Sequence, residues 1–252
     1  MVRVIMNGYS GRMGQVIASL AENDENVEIV AAVDVIRKEG VKIPFYSSLE
    51  EVKEEADVVI DFSTAAITDK VLDTCAEKNL PLVLCTTGLS DEQLSHMKET
   101  AGKIAILRSA NMSVGVNVLM RVLKEAAATL SAAGFDMEIV EKHHNQKLDA
   151  PSGTALSLAE AINEGAGGDY EFVYDRSARR EKRPHKEIGI SSVRGGTIVG
   201  DHDVIFAGMD EVITFSHRAY SRGIFGKGAL EAAKYLAGKA AGIYDMSDVI
   251  GG

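Results

Sequence analysis

The run VRVIMNGYSGRMG, Val2–Gly14, decides the fold. Val2–Met6 is apolar and β-rich, it stops at a loop holding Gly8, Gly11 and Gly14, and Gln15–Glu22 then reads as helix. Strand, glycine loop and helix in that order open a βαβ unit. The spacing is G-x-x-G-x-x-G, with Ser10 standing where the commoner G-x-G-x-x-G has its middle glycine. The physical logic survives the change: Gly8 permits a tight turn, Gly11 lets backbone N–H groups approach a pyrophosphate, and Gly14 lets the helix lie against the sheet. A second strand, Glu28–Val33, ends in Asp34, about twenty residues beyond Gly14. A carboxylate there can accept hydrogen bonds from the adenosine ribose of a dinucleotide.

Outward from this unit the alternation continues. Val58–Asp61 is a buried strand followed by Phe62-Ser63-Thr64 and a helix over Ala65–Lys78; Pro81–Cys85 is another, followed by Thr86-Thr87-Gly88. Ser90 and Gln93 form a capping box for a helix to Thr100, and Lys103–Leu107 leads to Ser109-Ala110-Asn111-Met112. Every strand ends in small or hydroxyl residues, as expected where ligands lie across the carboxyl edge of a parallel sheet. Val114–Leu130 reads as a long helix with Val114, Val118, Met120, Val122 and Leu130 available for burial. The character then changes. Phe135–Lys142, Ile188–Val193, Ile198–Ala207 and Glu211–Ser216 predict a mostly antiparallel sheet, its last pair joined at Gly208-Met209-Asp210, while Gly195-Gly196 would allow a loop to move. Ile224–Leu236 is helical, and the tail at Tyr244-Asp245-Met246 is expected to return to the first domain.

The chemistry concentrates in EIVEKHHNQKLDAPSGT, Glu138–Thr154. His143 can exchange a proton near neutral pH, Lys147 is a fixed cation, and Ser152, Gly153 and Thr154 open a helix-compatible segment, Ala155–Asn163. Pro151 suits the first helical position, and the N–H groups and hydroxyls after it would form a carboxylate or phosphate cradle at the positive end of the helix dipole. His143 and His144, adjacent on a strand, point to opposite faces and are badly placed to share a metal; no metal is expected.

The formal charge of −10 over 252 residues argues against a nucleic-acid partner. The basic run Arg176–Lys186 is read as a solvated loop. Cys75 and Cys85 lie in apolar surroundings and read as buried thiols of a reducing compartment. With no basic-then-apolar leader and no long apolar run, the expected location is the cytoplasm, with no membrane association.

Across essentially its whole length the chain closely resembles the dihydrodipicolinate (4-hydroxy-tetrahydrodipicolinate) reductase family of the diaminopimelate and lysine pathway. The resemblance rests on NGYSGRMG, DFST, CTTGLS, SANMSVGVN, EKHHNQKLDAPSGTA, SVRGGTIVGDHDVIF and SHRAYSRGIFGKGAL; the block E-x-H-H-x-x-K-x-D-A-P-S-G-T-A is highly specific. It implies an α/β fold, a Rossmann-type doubly wound parallel sheet over residues 1–112 plus 219–252, with an inserted mixed α/β domain over 113–218 for substrate and oligomerisation. It implies NADH or NADPH as cofactor, a small cyclic dicarboxylate as substrate, and a homotetramer. By it, His143 and Lys147 serve proton transfer; His144, Ser152, Gly153 and Thr154 bind substrate; and Gly8, Tyr9, Ser10, Gly11, Arg12, Met13, Asp34, Cys85, Thr86, Thr87, Ser109, Ala110, Asn111 and Met112 bind the cofactor. Cys85 stands where many relatives have Gly, a change that backbone contacts should survive. Two other readings share parts of this pattern: a dehydrogenase of another small dicarboxylate or amino acid, and an NAD-sensing protein without turnover. Against the sensor stands the joint presence of a proton donor and an anion cradle.

Overall fold

The computed structural model describes residues 1–251. In chain order the elements are β1 (Val2–Asn7), α1 (Arg12–Ala21), β2 (Val27–Val33), β3 (Phe45–Tyr46), β4 (Val58–Asp61), α2 (Thr68–Glu77), β5 (Leu82–Leu84), α3 (Asp91–Thr100) and β6 (Ala105–Leu107). They continue with α4 (Val114–Ala132), β7 (Asp136–His143), α5 (Gly153–Gly165), β8 (Glu171–Val173), β9 (Glu187–Arg194), β10 (Gly200–Ala207) and β11 (Val212–Ala219). The chain closes with α6 (Gly223–Leu236), β12 (Gly242–Tyr244) and α7 (Met246–Gly251). Two compact units result: Met1–Val114 together with the chain from Arg222 onward, and Gly115–Ser221. Gly252, the last residue of the expected first domain, lies outside the described residues.

The first unit is a parallel sheet in the order β12-β6-β5-β4-β1-β2-β3. Its central strands are mostly apolar along both faces because both are covered, with Asn7 and Asp61 the polar exceptions at the carboxyl ends of β1 and β4. Val4, Met6 and Ile60 pack toward Ile17, Ala233 and Leu236 of α1 and α6, while Ile5, Val59 and Leu84 pack toward Leu72 and Cys75 of α2 and Met97 of α3. The predicted capping box is present: Ser90 Oγ accepts from Gln93 N–H and the Gln93 side chain accepts from Ser90 N–H. The tail does return, with Tyr244 paired to Leu107. The strand order reverses between β1 and β4, so the glycine loop after β1 opens at the switch point where a parallel sheet leaves a crevice.

The second unit is a five-stranded sheet, β11-β10-β7-β9-β8, with α4 and α5 on one face. Its core gathers Met137, Ile139, Val204 and Phe206 against Leu123 of α4 and Leu158 and Ile162 of α5. The sheet is mixed rather than mostly antiparallel. β10 runs antiparallel to both β7 and β11, the latter joined by the predicted hairpin, closed by Gly208 N–H to Glu211 O at 2.8 Å. β9, however, runs parallel to β7 and β8. The crossover through α5 returns the chain to β8 in the direction of β7, and the segment over 174–186 then carries it back so that β9 enters between the two, parallel to both.

Two further differences have local causes. Along α4 the buried stripe runs through Val116, Leu123 and Ala127, leaving Val118 and Val122 exposed, because this helix offers apolar residues on more than one face. The basic run is not merely solvated. Arg176 and Arg179 bind the buried Glu187, and Arg183 binds Asp136 at 2.8 Å and Glu138 at 2.8 Å, pinning the loop to the sheet.

Candidate active site

In the first unit the glycine loop is shaped by close backbone approach. Gly8 has φ of +80°, and a Cβ there would lie 2.5 Å from the Phe62 carbonyl oxygen. A Cβ on Gly14 would lie 2.3 Å from Gly8 O and 2.4 Å from Tyr9 O, so this glycine lets α1 close on its own loop rather than on the sheet. Gly11 is the N-cap of α1 and supplies no side-chain cap, and the first turn carries no acid. The N–H groups of that turn are thus left at the positive end of the helix, the arrangement an anion such as a pyrophosphate fills.

Ser10, in the place of the missing glycine, donates its N–H to Asp34 Oδ2 at 2.9 Å and its hydroxyl to Ile36 O, locking the loop to the end of β2. Gly8, Gly11 and Asp34 line a cleft of about 560 Å³ that also includes Ser48, Thr64 and Lys70. Tyr9 and Met13 are half-buried beside the loop, and Arg12 is exposed at the start of α1. Below it, buried Asp61 accepts from Asn7 Nδ2 at 2.7 Å and Thr86 Oγ1 at 2.6 Å, tying β1, β4 and β5 at their carboxyl ends. The Thr86 hydroxyl is thereby engaged within the protein, whereas Thr87 and Ala110 are exposed at the same sheet edge and Ser109 is half-buried. Cys85 donates its N–H to Asp61 O at 2.9 Å, and burial, then the Asp61 charge, push its thiol well above its ordinary range. Asn111 is buried and caps Ser113 N–H at 2.8 Å; the Met112 carbonyl lies so close to Gly228 of α6 that no Cβ would fit there.

In the second unit one fully buried carboxylate organises the conspicuous stretch. Glu141 lies on the core face of β7, in phase with Met137, Ile139 and His143. Its Oε2 accepts from His143 Nδ1 at 2.6 Å and Arg194 Nη1 at 2.8 Å; its Oε1 accepts from Ser152 N–H at 3.1 Å and Arg194 Nη2 at 2.7 Å. Burial pushes this carboxyl up, but the Arg194 fork, with His143 and Ser192, outweighs burial and brings it down to about 2. Burial pushes His143 below its ordinary value, against the pull of Glu141; the Lys147 and Arg194 charges push the same way as burial. His202 stacks edge-on against His143 at 5.2 Å, places Nε2 3.0 Å from Ser152 Oγ, and is pushed by burial, then by the His143 charge, down to about 4.

Ser152 caps α5, its Oγ accepting from Ala155 N–H at 3.1 Å, so Gly153 rather than Pro151 takes the first helical position and Pro151 lies before the cap. Ser152 itself is buried with its N–H committed to Glu141, so the exposed start of α5 begins at Gly153, with Thr154 half-buried beside it. His144 lies just past β7, half-buried, and its carbonyl accepts from Lys147 N–H at 3.2 Å; Lys147 Nζ pairs with Asp149 at 2.9 Å. The Gly195-Gly196 turn is tied to this loop, with Gly195 N–H to His143 O at 2.9 Å and Asn145 N–H to Gly196 O at 3.2 Å.

The structure therefore brings His143, Lys147 and the start of α5 around Glu141, and adds Arg194 and His202, which sequence reasoning did not single out. One signal was available. In a strand that alternates buried and open positions, Glu141 and His143 occupy the buried phase, and a carboxylate there demands partners.

Two family models cover the chain, dihydrodipicolinate reductase N-terminus over residues 2–112 and dihydrodipicolinate reductase C-terminus over residues 115–250. The chain belongs to the dihydrodipicolinate reductase family. Among curated members, it is 53% identical to the 4-hydroxy-tetrahydrodipicolinate reductase of Caldanaerobacter subterraneus subsp. tengcongensis, over 99% of this chain and 98% of the relative. It is 46% identical to the enzyme of the same name from Clostridium tetani, over 98% and 96% of the two chains. Among solved structures, dipicolinate-bound dihydrodipicolinate reductase from Paenisporosarcina sp. TG-14 matches with a TM-score of 0.82 at 28% identity, covering 97% of each chain. Membership of this reductase family makes the chain a nicotinamide-dependent oxidoreductase.

Proposed function

We propose that the chain reduces 4-hydroxy-tetrahydrodipicolinate to tetrahydrodipicolinate in diaminopimelate and lysine biosynthesis. The observation that carries this reading is the gathering of His143, Lys147 and the start of α5 around Glu141, in a chain whose other unit presents a glycine loop and Asp34. Residues 1–112 with 219–252 form the cofactor domain and 113–218 the substrate domain. Gly8 to Met13, Asp34, Cys85 to Thr87 and Ser109 to Met112 hold the cofactor, Cys85 and Thr86 through their backbone. When bound, the nicotinamide supplies the hydride.

A cyclic dicarboxylate demands fixed cations and N–H donors. Lys147, His144, the Gly153 N–H and the Thr154 N–H and hydroxyl supply them, and Ser152 shapes the cradle from beneath. One proton must enter with the hydride as water leaves. In the free protein burial, with Lys147 and Arg194, holds His143 low. A bound dianion offsets that positive field, raises His143 and loads it with the proton to be delivered, with Lys147 sharing the transfer. Family resemblance supports a homotetramer in the cytoplasm. The face of the second sheet away from α4 and α5, where Val193 and Val212 are exposed, suits that assembly.

Asp34, held by Ser10 at the cleft, favours the free ribose hydroxyls of NADH. Of Arg37 and Lys38, the two cations that would answer the extra phosphate of NADPH, Arg37 lies over the Phe45 ring at 5.6 Å. Dual use follows, with NADH at least as good as NADPH. The test couples the chain to the preceding synthase, supplied with pyruvate and aspartate semialdehyde, and follows oxidation of each cofactor separately. Turnover of the synthase product, absent with open-chain oxo acids, is expected. No turnover would overturn the function, and an NADPH preference above about tenfold, ~1.4 kcal/mol in transition-state binding, would overturn the reading of Asp34.

A further inference from the structure

We propose that Glu141 is a positioning residue for the reductive step, one clamp that fixes the ring of His143 and the start of α5 together. The inference rests on the reductase reading above, in which His143 moves the proton and α5 cradles the substrate.

The carboxylate has room for about four hydrogen bonds, and all of them are used within the protein, two on each oxygen. Glu141 is therefore closed to any ligand, and its contribution passes through the groups it holds. Because its charge is kept by the Arg194 fork, the nitrogen 2.6 Å from it must carry a proton, which fixes neutral His143 as the Nδ1–H form and leaves Nε2 to exchange protons. The ring is seated from its other side as well. A Cβ on Gly200 would come within 3.0 Å of His143 Nε2, and His202 lies edge-on to the ring at 5.2 Å. The other carboxylate oxygen holds the N-cap of α5, so a shift of Glu141 moves proton donor and anion cradle at once. Arg194 extends the clamp to the loop carrying Lys147, by donating to Asp149 O at 2.6 Å.

The charged and titratable groups facing His143 are Glu141 on its own strand, Lys147 on the following loop, Arg194 on β9 and His202 on β10. Only Glu141 among them raises it. Glu141→Gln replaces one acceptor by a donor and removes the charge. Its kcat should fall about 10²-fold, and the limb on which kcat declines with rising pH should move down by about one to three pH units. Glu141→Asp retains the charge, so it should keep the limb near its wild-type position while lowering kcat. Selective ¹⁵N-histidine NMR of the wild-type full chain, with the resonance assigned by His143→Gln, should show neutral His143 protonated on Nδ1. Neutral His143 protonated on Nε2, or a Glu141→Gln limb unmoved with kcat within about threefold of wild type, overturns the proposal. The NMR reading needs no substrate and no turnover, so a failure of the clamp and a failure of the reductase reading appear in different experiments.

Discussion

The glycine loop of the first unit and the Glu141 cluster of the second both prepare a place for negative charge, and they do so by opposite means. The loop uses backbone: Gly8, Gly11 and Gly14 remove Cβ atoms so that N–H groups at the start of α1 stand open. The cluster uses side chains: a buried carboxylate, an arginine fork and two histidines, His143 and His202, packed edge-on at 5.2 Å. A backbone site depends on shape and is indifferent to pH. A side-chain site depends on charge balance, and its failure modes are electrostatic.

The sharpest way to separate the two is to unbalance the cluster. Arg194→Met leaves Glu141 buried without its cation and should cost about 3–5 kcal/mol in urea unfolding of the full chain. A loss under about 1 kcal/mol, the range of surface pairs, would show that the pair is solvated. Acid should unbalance it more gently. His202 is neutral in the fold down to about 4, so as pH falls through the ordinary histidine range only the unfolded chain gains its proton. Stability is fully present above about 6.5 and falls by up to about 3 kcal/mol on the way to about 4. Glu141, held down to about 2, works in the same direction at still lower pH. A flat denaturation midpoint between pH 7 and pH 4 would contradict this account. The counterpart in the loop is Gly8→Ala. Positive φ and the Phe62 carbonyl together should cost about 2 kcal/mol and weaken NADH binding at least tenfold, equally at pH 6 and pH 8. A pH-dependent loss would mean that the loop, too, works through charge.

The same contrast explains what could be read from the sequence. A backbone site is local: the strand, the three glycines and Asp34 fall within one βαβ unit, and Ser10 keeps the loop tied to Asp34 through an N–H that any residue supplies. The Ser90–Gln93 box was legible for the same reason. Glu141, by contrast, draws Arg194 from β9, and Ser152 draws His202 from β10, partners defined only once the register of the second sheet is set. The direction of β9 was misjudged because alternation marks which face a residue occupies and leaves the direction of its neighbour open. The parallel β7–β9 pair was visible only in the helical segment between them. The histidine–lysine–serine stretch was found as a set of residue types; the carboxylate that arranges it, Glu141, sat in the same stretch and was given no separate role.

The measurement closest to the central claim, that the second unit carries the chemistry while the first holds the cofactor, is a paired determination on His143→Gln. It sets kcat in the synthase-coupled assay beside the Kd for NADH from direct titration. The account predicts a kcat lower by about 10²–10⁴-fold with Kd unchanged within about twofold. A kcat near the wild-type value, or a fall matched by a parallel loss of NADH binding, would contradict it.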